Sequence, residues 1–471
     1  MSTDKSIIRS TGIIGGFTFL SRLLGFFRDI LIAHLFGTGS SIEAFVVAFR
    51  IPNLIRELLG EGAANASFVP VFSEYLLKDR KQLFKLVNIT FNILLLFLSL
   101  VAILGIASSG WIVRLIAPGF IKDAHKLNLT IFLTQLMFPY LIFIGLVAYG
   151  MGILNTFREF ALPAFGPALL NVSLIFFAFF SRYFFSSEPV ISLAVGVLVG
   201  GFLQLIVQVP SIYRKGFRFR FPDFNFRDPG ISKIYHLLIP RIFGSAIYHL
   251  NVFFDTICAS FSQIVGYGAV AAIYYANRLI QFPLAIFGIA LSTATLPVMA
   301  QEVVSDNIAK LKETVSFSLC LIFLIMLPFS LFLFLLAEPL VRVLFQRGNF
   351  NSLSTAITSW ALIFYSFGLT SYSGTKLISS VFYALQDTKT PVKVAGLCLI
   401  SNLILNILLM WPLQVGGLAL ASSISSSLNF FLLFYILEKR IGRLDRFKIK
   451  NSFLKVMLAT FIASLTIEFL K

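Results

Sequence analysis

Apolar runs near 20 residues long recur from one end of this 471-residue chain to the other. A helix of about 20 residues rises about 30 Å, the thickness of a bilayer's hydrocarbon core. No other feature restricts the fold as strongly. A soluble domain of this size needs polar surface to cover its core, and here only 13% of residues are charged, 58% are hydrophobic and the mean hydropathy is +0.89. A β-barrel would instead show short alternating strands between turns. The expected fold class is an all-α polytopic membrane protein with about 13 transmembrane helices. The first run, 8–36, carries Arg22, Arg28 and Asp29 and no small-residue cleavage site follows it. It is expected to be the first span and not a cleaved signal. Cys258, Cys320 and Cys398 fall in apolar segments without a CxxC spacing, as small core residues do.

The net charge of +17 is distributed in a telling way. Lys78, Arg80, Lys81 and Lys85 follow the second span. Arg214, Lys215, Arg218, Arg220, Arg227 and Lys233 lie between the sixth and seventh, and Lys439, Arg440, Arg443, Arg446, Lys448 and Lys450 between the twelfth and thirteenth. The intervening loops 37–41, 262–268 and 411–414 carry none. This is the positive-inside pattern, and it predicts a cytoplasmic N-terminus. It also excludes a nucleic-acid partner as the meaning of the charge, because no single basic face is built.

The second span contains AFRIPNLIRELLGEGAANASFVPVFSEY and the eighth YYANRLIQFPLAIFGIALSTATLPVMAQEV. Each has an early arginine (Arg50, Arg278), a mid-span proline and glycine, a small-residue stretch, then FVPV or TLPV. The expected organisation is two six-helix lobes related by a parallel pseudo-repeat, 1–227 and 228–444, plus one extra C-terminal helix, 445–471.

Charges interrupt this apolar background most densely between Ser21 and Glu61: Arg22, Arg28, Asp29, Glu43, Arg50, Arg56, Glu57 and Glu61. Each costs on the order of 2.5–3.5 kcal/mol at a bilayer centre on insertion scales. A bundle keeps that many when they face water, a ligand or one another. Arg22 and Asp29, seven residues apart, share nearly one helix face with Gly25 between them. Glu57 and Glu61 are i,i+4 neighbours. Pro52, Gly60 and Gly62 weaken the second span and are expected hinge positions. One reading is a set of ion pairs that only hold helices together. The other is recognition of an anion, since a guanidinium presents a planar fork matched to phosphate or carboxylate. Asp29 and Glu57 fit the first reading best, as partners that position an arginine.

The second half is sparser. Arg278 sits beside Asn277, Asp255 lies mid-span in the seventh helix, Asn402 and Asn406 are i,i+4 on the eleventh, and Ser422 is on the twelfth. A carboxylate with amide oxygens suits Na⁺ coordination or a proton relay, and equally suits interhelical hydrogen bonding. His249 stands alone on its span and has no assigned role. Motifs for metalloprotease, nucleophile-elbow or P-loop chemistry are missing, so no enzymatic role is expected.

At these residues the chain resembles the MurJ/MviN family of lipid II flippases, within the multidrug/oligosaccharidyl-lipid/polysaccharide exporter superfamily. The matching strings are SRLLGFFRD (21–29), EAFVVAFRIPNLIRELLGEGA (43–63), FVPVFSEY (68–75), YYANRLIQFP (274–283), LFQRGNF (344–350) and ALQDTKTPVK (384–393). The resemblance implies a cationic cavity in a bacterial inner-membrane protein that carries lipid II, an undecaprenyl-diphosphate-linked peptidoglycan precursor, outward by alternating access. It implies that Arg22, Arg28, Arg56 and Arg278, with the acids Glu43 and Glu61, handle that substrate. It implies Na⁺ or H⁺ coupling, with a possible Na⁺ site at Asp255, Asn402, Asn406 and Ser422. Membrane lipids and cell-wall synthases are further expected partners. Where many members have Asp before the eighth-span arginine, this chain has Asn277. The family's fourteenth helix has no counterpart after the thirteenth. A polysaccharide-unit or drug exporter, a membrane enzyme acting on polyprenyl phosphates, and a non-transporting scaffold are the alternatives.

Overall fold

The computed structural model describes the backbone of residues 3–58, 64–220 and 223–469. The described residues are almost entirely helical. The first part of the chain forms α1 (Thr3–Phe36), α2 (Ser40–Leu58), α3 (Ala64–Lys78), α4 (Arg80–Ile116), α5 (Ala124–Met137), α6 (Tyr140–Thr156), α7 (Ala161–Phe179), the single turn α8 (Ser181–Phe184) and α9 (Ile191–Arg214). The remainder forms α10 (Pro229–Ser260), the turn α11 (Ser262–Val265), α12 (Ala269–Pro283), α13 (Ala290–Val304), α14 (Ile308–Leu335), α15 (Ala337–Phe345), α16 (Ser352–Ser366), α17 (Leu369–Ala384), α18 (Lys389–Leu413), α19 (Val415–Ile441) and α20 (Arg446–Phe469).

By length and composition, eight helices or continuous helix pairs among the described residues can cross a membrane, or up to nine when the bent pair α16 and α17 is one span. That is fewer than the expected 13 or so. The other expected spans are α1, α2 with α3, α10 and α20, which carry ionisable side chains along their apolar length.

The chain divides into two compact units, Met1–His249 and Leu250–Lys471. The division falls inside α10, beyond the basic loop at 228. Within the first unit α7 packs on α9, α6 on α9, α4 on α5 and on α6, and α3 on α4 and α6. Within the second unit the same order recurs: α18 on α19, α17 on α19, α14 on α16 and on α17, and α13 on α14 and α17. In the second unit the arginine-bearing helix is interrupted. Pro283 ends α12, a π-helical segment (Leu284–Ile289) follows, and α13 resumes. Proline removes the N–H that would bond one turn back, and the wider π turn absorbs the mismatch.

Small residues set the closest helix contacts. A Cβ at Gly200 on α9 would lie 2.7 Å from Leu170 Cδ1 and 3.1 Å from Leu170 Cα on α7, and one at Gly196 3.1 Å from Phe177 Cβ. Two glycines four residues apart thus let the backbones approach as side chains larger than hydrogen would not permit.

Candidate functional site

Arg28 and Asp29 occupy adjacent positions near the end of α1, and both are buried. Asp29 Oδ1 accepts from Arg28 Nε at 3.0 Å and from a terminal nitrogen at 2.7 Å. The other terminal nitrogen donates to Asn171 Oδ1 on α7 at 2.9 Å. Asn171 is itself oriented, its amide donating to the Ser21 carbonyl at 2.9 Å. Gly25 faces Asn171, and a Cβ there would meet Asn171 Nδ2 at 3.5 Å, an ordinary van der Waals contact. Charge-assisted bonds of this kind fix a guanidinium in one orientation. Arg22, less than two turns earlier, is exposed, and no described residue forms a hydrogen bond or ion pair with it.

On α2, Asn53, Arg56 and Glu57 form one half-buried group. Arg56 Nε donates to Asn53 Oδ1 at 3.0 Å, Asn53 Nδ2 to Glu57 Oε1 at 2.8 Å, and a second Arg56 nitrogen lies 3.4 Å from the same carboxylate oxygen. His249, unassigned from sequence, places Nδ1 3.1 Å from Glu57 Oε2. Pro52 is buried within α2, one turn before Arg56. Gly60, Glu61 and Gly62 lie outside the described residues.

Glu43 has a partner that the sequence did not mark. It is buried at the start of α2 and ion-paired with Lys126, a buried lysine on α5. The Lys126 ammonium also rests over the Phe120 ring, 3.8 Å from its centroid. Lys126 was missed because it follows a loop aspartate at a helix start, where a lysine ordinarily reaches water. Only the tertiary approach of α5 to α2 encloses it.

In the second unit, Arg278 lies on α12, half-buried over the Tyr274 ring at 5.0 Å from centroid, with a terminal nitrogen 3.4 Å from the Tyr274 hydroxyl. Asp255 on α10 draws in the polar residues of α18 and α19. Asn402 and Asn406 donate to its Oδ1 at 3.1 and 2.7 Å, and the Ser422 hydroxyl donates to Oδ2 at 3.2 Å. Asn402 also donates to Asn251 Oδ1 at 3.2 Å. Asn402 and Asn406 are buried, and the carbonyl oxygen of each has no hydrogen-bond partner. Buried polar atoms are ordinarily paired, so these two carbonyl oxygens are acceptors in need of a donor or a cation. The amide nitrogens face the carboxylate here; with the amides turned, the carboxylate, two amide oxygens and the Ser422 hydroxyl would form an oxygen-rich set that fits a hard cation such as Na⁺. No group of three or more His, Cys, Asp or Glu residues suited to a metal occurs among the described residues.

The family model described as "Lipid II flippase MurJ" matches residues 32–471. A "Probable lipid II flippase MurJ" of Buchnera aphidicola subsp. Schizaphis graminum is 38% identical over 437 residues, 92% of this chain and 84% of that protein. The "Lipid II flippase MurJ" of Burkholderia cenocepacia is 36% identical over 442 residues, again 92% of this chain and 84% of the relative. A solved structure of a lipid II flippase MurJ in an inward closed conformation superposes with a TM-score of 0.83 at 27% identity, covering 96% of this chain and 92% of the other. An inward-facing multidrug MATE transporter shares the fold alone, with a TM-score of 0.74 at 15% identity.

Proposed function

We propose that this chain, which belongs to the MurJ family of lipid II flippases, moves lipid II from the cytoplasmic to the outer leaflet for peptidoglycan synthesis. It is a multi-pass membrane transporter and not an enzyme. The observation that carries the mechanism is the contrast among its arginines. Arg22 is exposed with no partner among the described residues, while Arg28 and Arg56 are held by carboxylates and amides. A guanidinium without an internal partner on an apolar helix needs an anion or water. Arg22 is the group we assign to the substrate diphosphate. Arg28 and Arg56, held by other side chains, shape the surroundings, and Arg278 is the arginine of the second unit assigned to the same substrate. The carboxylates of Asp29 and Glu57 hold arginines in place. The polyprenyl tail stays in lipid, and alternating access moves the head.

We assign the protein to the bacterial inner membrane with its N-terminus in the cytoplasm, a reading the distribution of basic loops supports. Exposed Trp111, Tyr183, Tyr267 and Trp411 near helix ends suit side chains at a membrane–water interface. Cell-wall synthases are the partners that would consume the product. The Asp255 cluster is our candidate for Na⁺, with Asp255 supplying the charge and Asn402, Asn406 and Ser422 neutral oxygens. When bound, the ion would offset the carboxylate's charge between α10, α18 and α19.

The test is lipid II exposure at the outer leaflet of cells depleted of their own flippase. The wild-type chain is expected to restore exposure, and Arg22→Ala, Arg28→Ala and Arg278→Ala to lose it. Normal exposure with all three variants would sink the head-group assignment. A covalently altered lipid would point instead to an enzyme acting on polyprenyl phosphates.

A further inference from the structure

Two sequence motifs that the transport reading leaves without a role, LFQRGNF and the aromatic start of YYANRLIQFP, interlock in the second unit. Tyr275 is fully enclosed, with its ring 5.4 Å from Phe345 at the end of α15 and 5.6 Å from Phe350 in the loop that follows. Phe345 and Phe350 are themselves buried and 5.7 Å apart. The loop between them is built to hold this shape. Gly348 turns the chain at φ 56°, where a side chain would be strained. The Thr355 hydroxyl donates to Gln346 Oε1 at 3.1 Å, and Asn351 Oδ1 accepts the Ser354 N–H at 2.9 Å, capping α16. The turn of α12 that carries Tyr275 is therefore clamped from outside its own helix.

Tyr274, on that same turn, faces differently and meets Arg278 one turn later. The guanidinium lies over its ring and within reach of its hydroxyl. An arginine on a helix has several rotamers, and a ring face one turn away selects those that lay the guanidinium flat upon it.

We propose that Tyr274 is the positioning residue of Arg278, and that the Tyr275–Phe345–Phe350 clamp fixes the helix turn on which both depend. The inference rests on Arg278 acting as a lipid II ligand. Tyr274 does not touch substrate in this account; it sets the guanidinium's orientation before substrate arrives.

The experiment measures lipid II binding to the purified full chain in nanodiscs, with thermal midpoints taken on the same preparations. Tyr274→Leu removes the ring face and is expected to weaken binding on the order of tenfold, the worth of a partly desolvated cation–π contact. Tyr274→Phe keeps the ring and is expected to retain most of the affinity. The deciding arm is the double variant: Tyr274→Leu in an Arg278→Ala background should bind no worse than Arg278→Ala alone. Additive losses, or wild-type affinity for Tyr274→Leu beside a weakened Arg278→Ala, would overturn the positioning role. Unchanged affinity for Arg278→Ala would instead overturn the ligand assignment beneath it. Phe345→Ala should repeat the Tyr274→Leu defect, with recovery in Phe345→Tyr. A fall in thermal midpoint with unchanged affinity would reduce the clamp to a structural contact and overturn its part of the proposal.

Discussion

Glu43 and Lys126 are two full charges enclosed together, and their energetics differ from those of an exposed pair. Removing one partner strands the other, at about 3–5 kcal/mol, whereas replacing both by neutral groups of similar volume is often nearly free. Lys126→Met is therefore expected to lower the thermal midpoint in detergent sharply, and adding Glu43→Gln should recover most of the loss. Transport by the double variant separates two roles for Glu43. Full activity means that its carboxylate only fastens α2 to α5, and lost activity with restored stability means that it also meets substrate. The sequence signals differ between these residues. Arg28 and Asp29 are neighbours in the chain, yet helix geometry set Asp29 on the face of Arg22, and only the folded structure shows that it holds Arg28. Asn171 completes that group from 143 positions away, and although it and Ser173 are the two polar side chains of α7, nothing in the sequence joins it to Arg28. His249 and Lys126 were invisible for the same reason, since their partners come from helices that only the folded chain brings near.

The elements rest on close approach and on caps, and each makes a measurable claim. At Gly200, Leu170 leaves no room for even a methyl group, so Gly200→Ala must push α9 from α7. Overpacking of this kind costs about 1–3 kcal/mol, and it should appear as reduced thermal stability. The start of α18 depends on Asp387. Its carboxylate accepts the backbone N–H groups of Lys389 and Thr390, each at 3.0 Å, and the Thr390 hydroxyl at 2.7 Å, and it is paired with Arg440 of α19. The Thr390 hydroxyl and N–H, more than Arg440, hold this loop carboxyl below its ordinary 3.8. A lowered folded value means that the unfolded chain takes up the proton first. Stability from these contacts is then complete above the ordinary value and fades as pH falls through the lowered one. Asp387→Ala should melt below wild type at neutral pH, and the two midpoints should converge in the acid range below about pH 4. The helical periods and the Gly196/Gly200 spacing were readable in advance because they are local. The π segment after Pro283 was not, because proline predicts a break without saying how the helix repairs it.

Across the whole molecule the two units repeat one packing order and one polar contact, with a difference at its centre. In the first unit an acid on α1 and an asparagine on α7, Asp29 and Asn171, are bridged by the guanidinium of Arg28. In the second an acid on α10 and an asparagine on α18, Asp255 and Asn402, bond directly, and the residue preceding the acid is Phe254. One unit thus carries its cation covalently, while in the other the acid is met by two neutral amides and a hydroxyl, and the two amide oxygens are buried without hydrogen-bond partners. This repetition is the physical argument for an exchangeable cation at Asp255. An ion that binds only the folded chain must stabilise it, by about 2.7 kcal/mol at a hundredfold excess over its dissociation constant. Sodium chloride should therefore raise the thermal midpoint of the purified protein above that in an equal concentration of choline chloride. Asp255→Asn should abolish the difference, because the amide no longer supplies the charge. Asp29→Asn should leave the sodium response in place while lowering the midpoint in both salts, since it strands Arg28. Equal midpoints in the two salts for the wild type would make the Asp255 cluster a set of interhelical hydrogen bonds. The driving force for transport would then have to come from elsewhere, from a proton or from the membrane potential acting on the charged substrate.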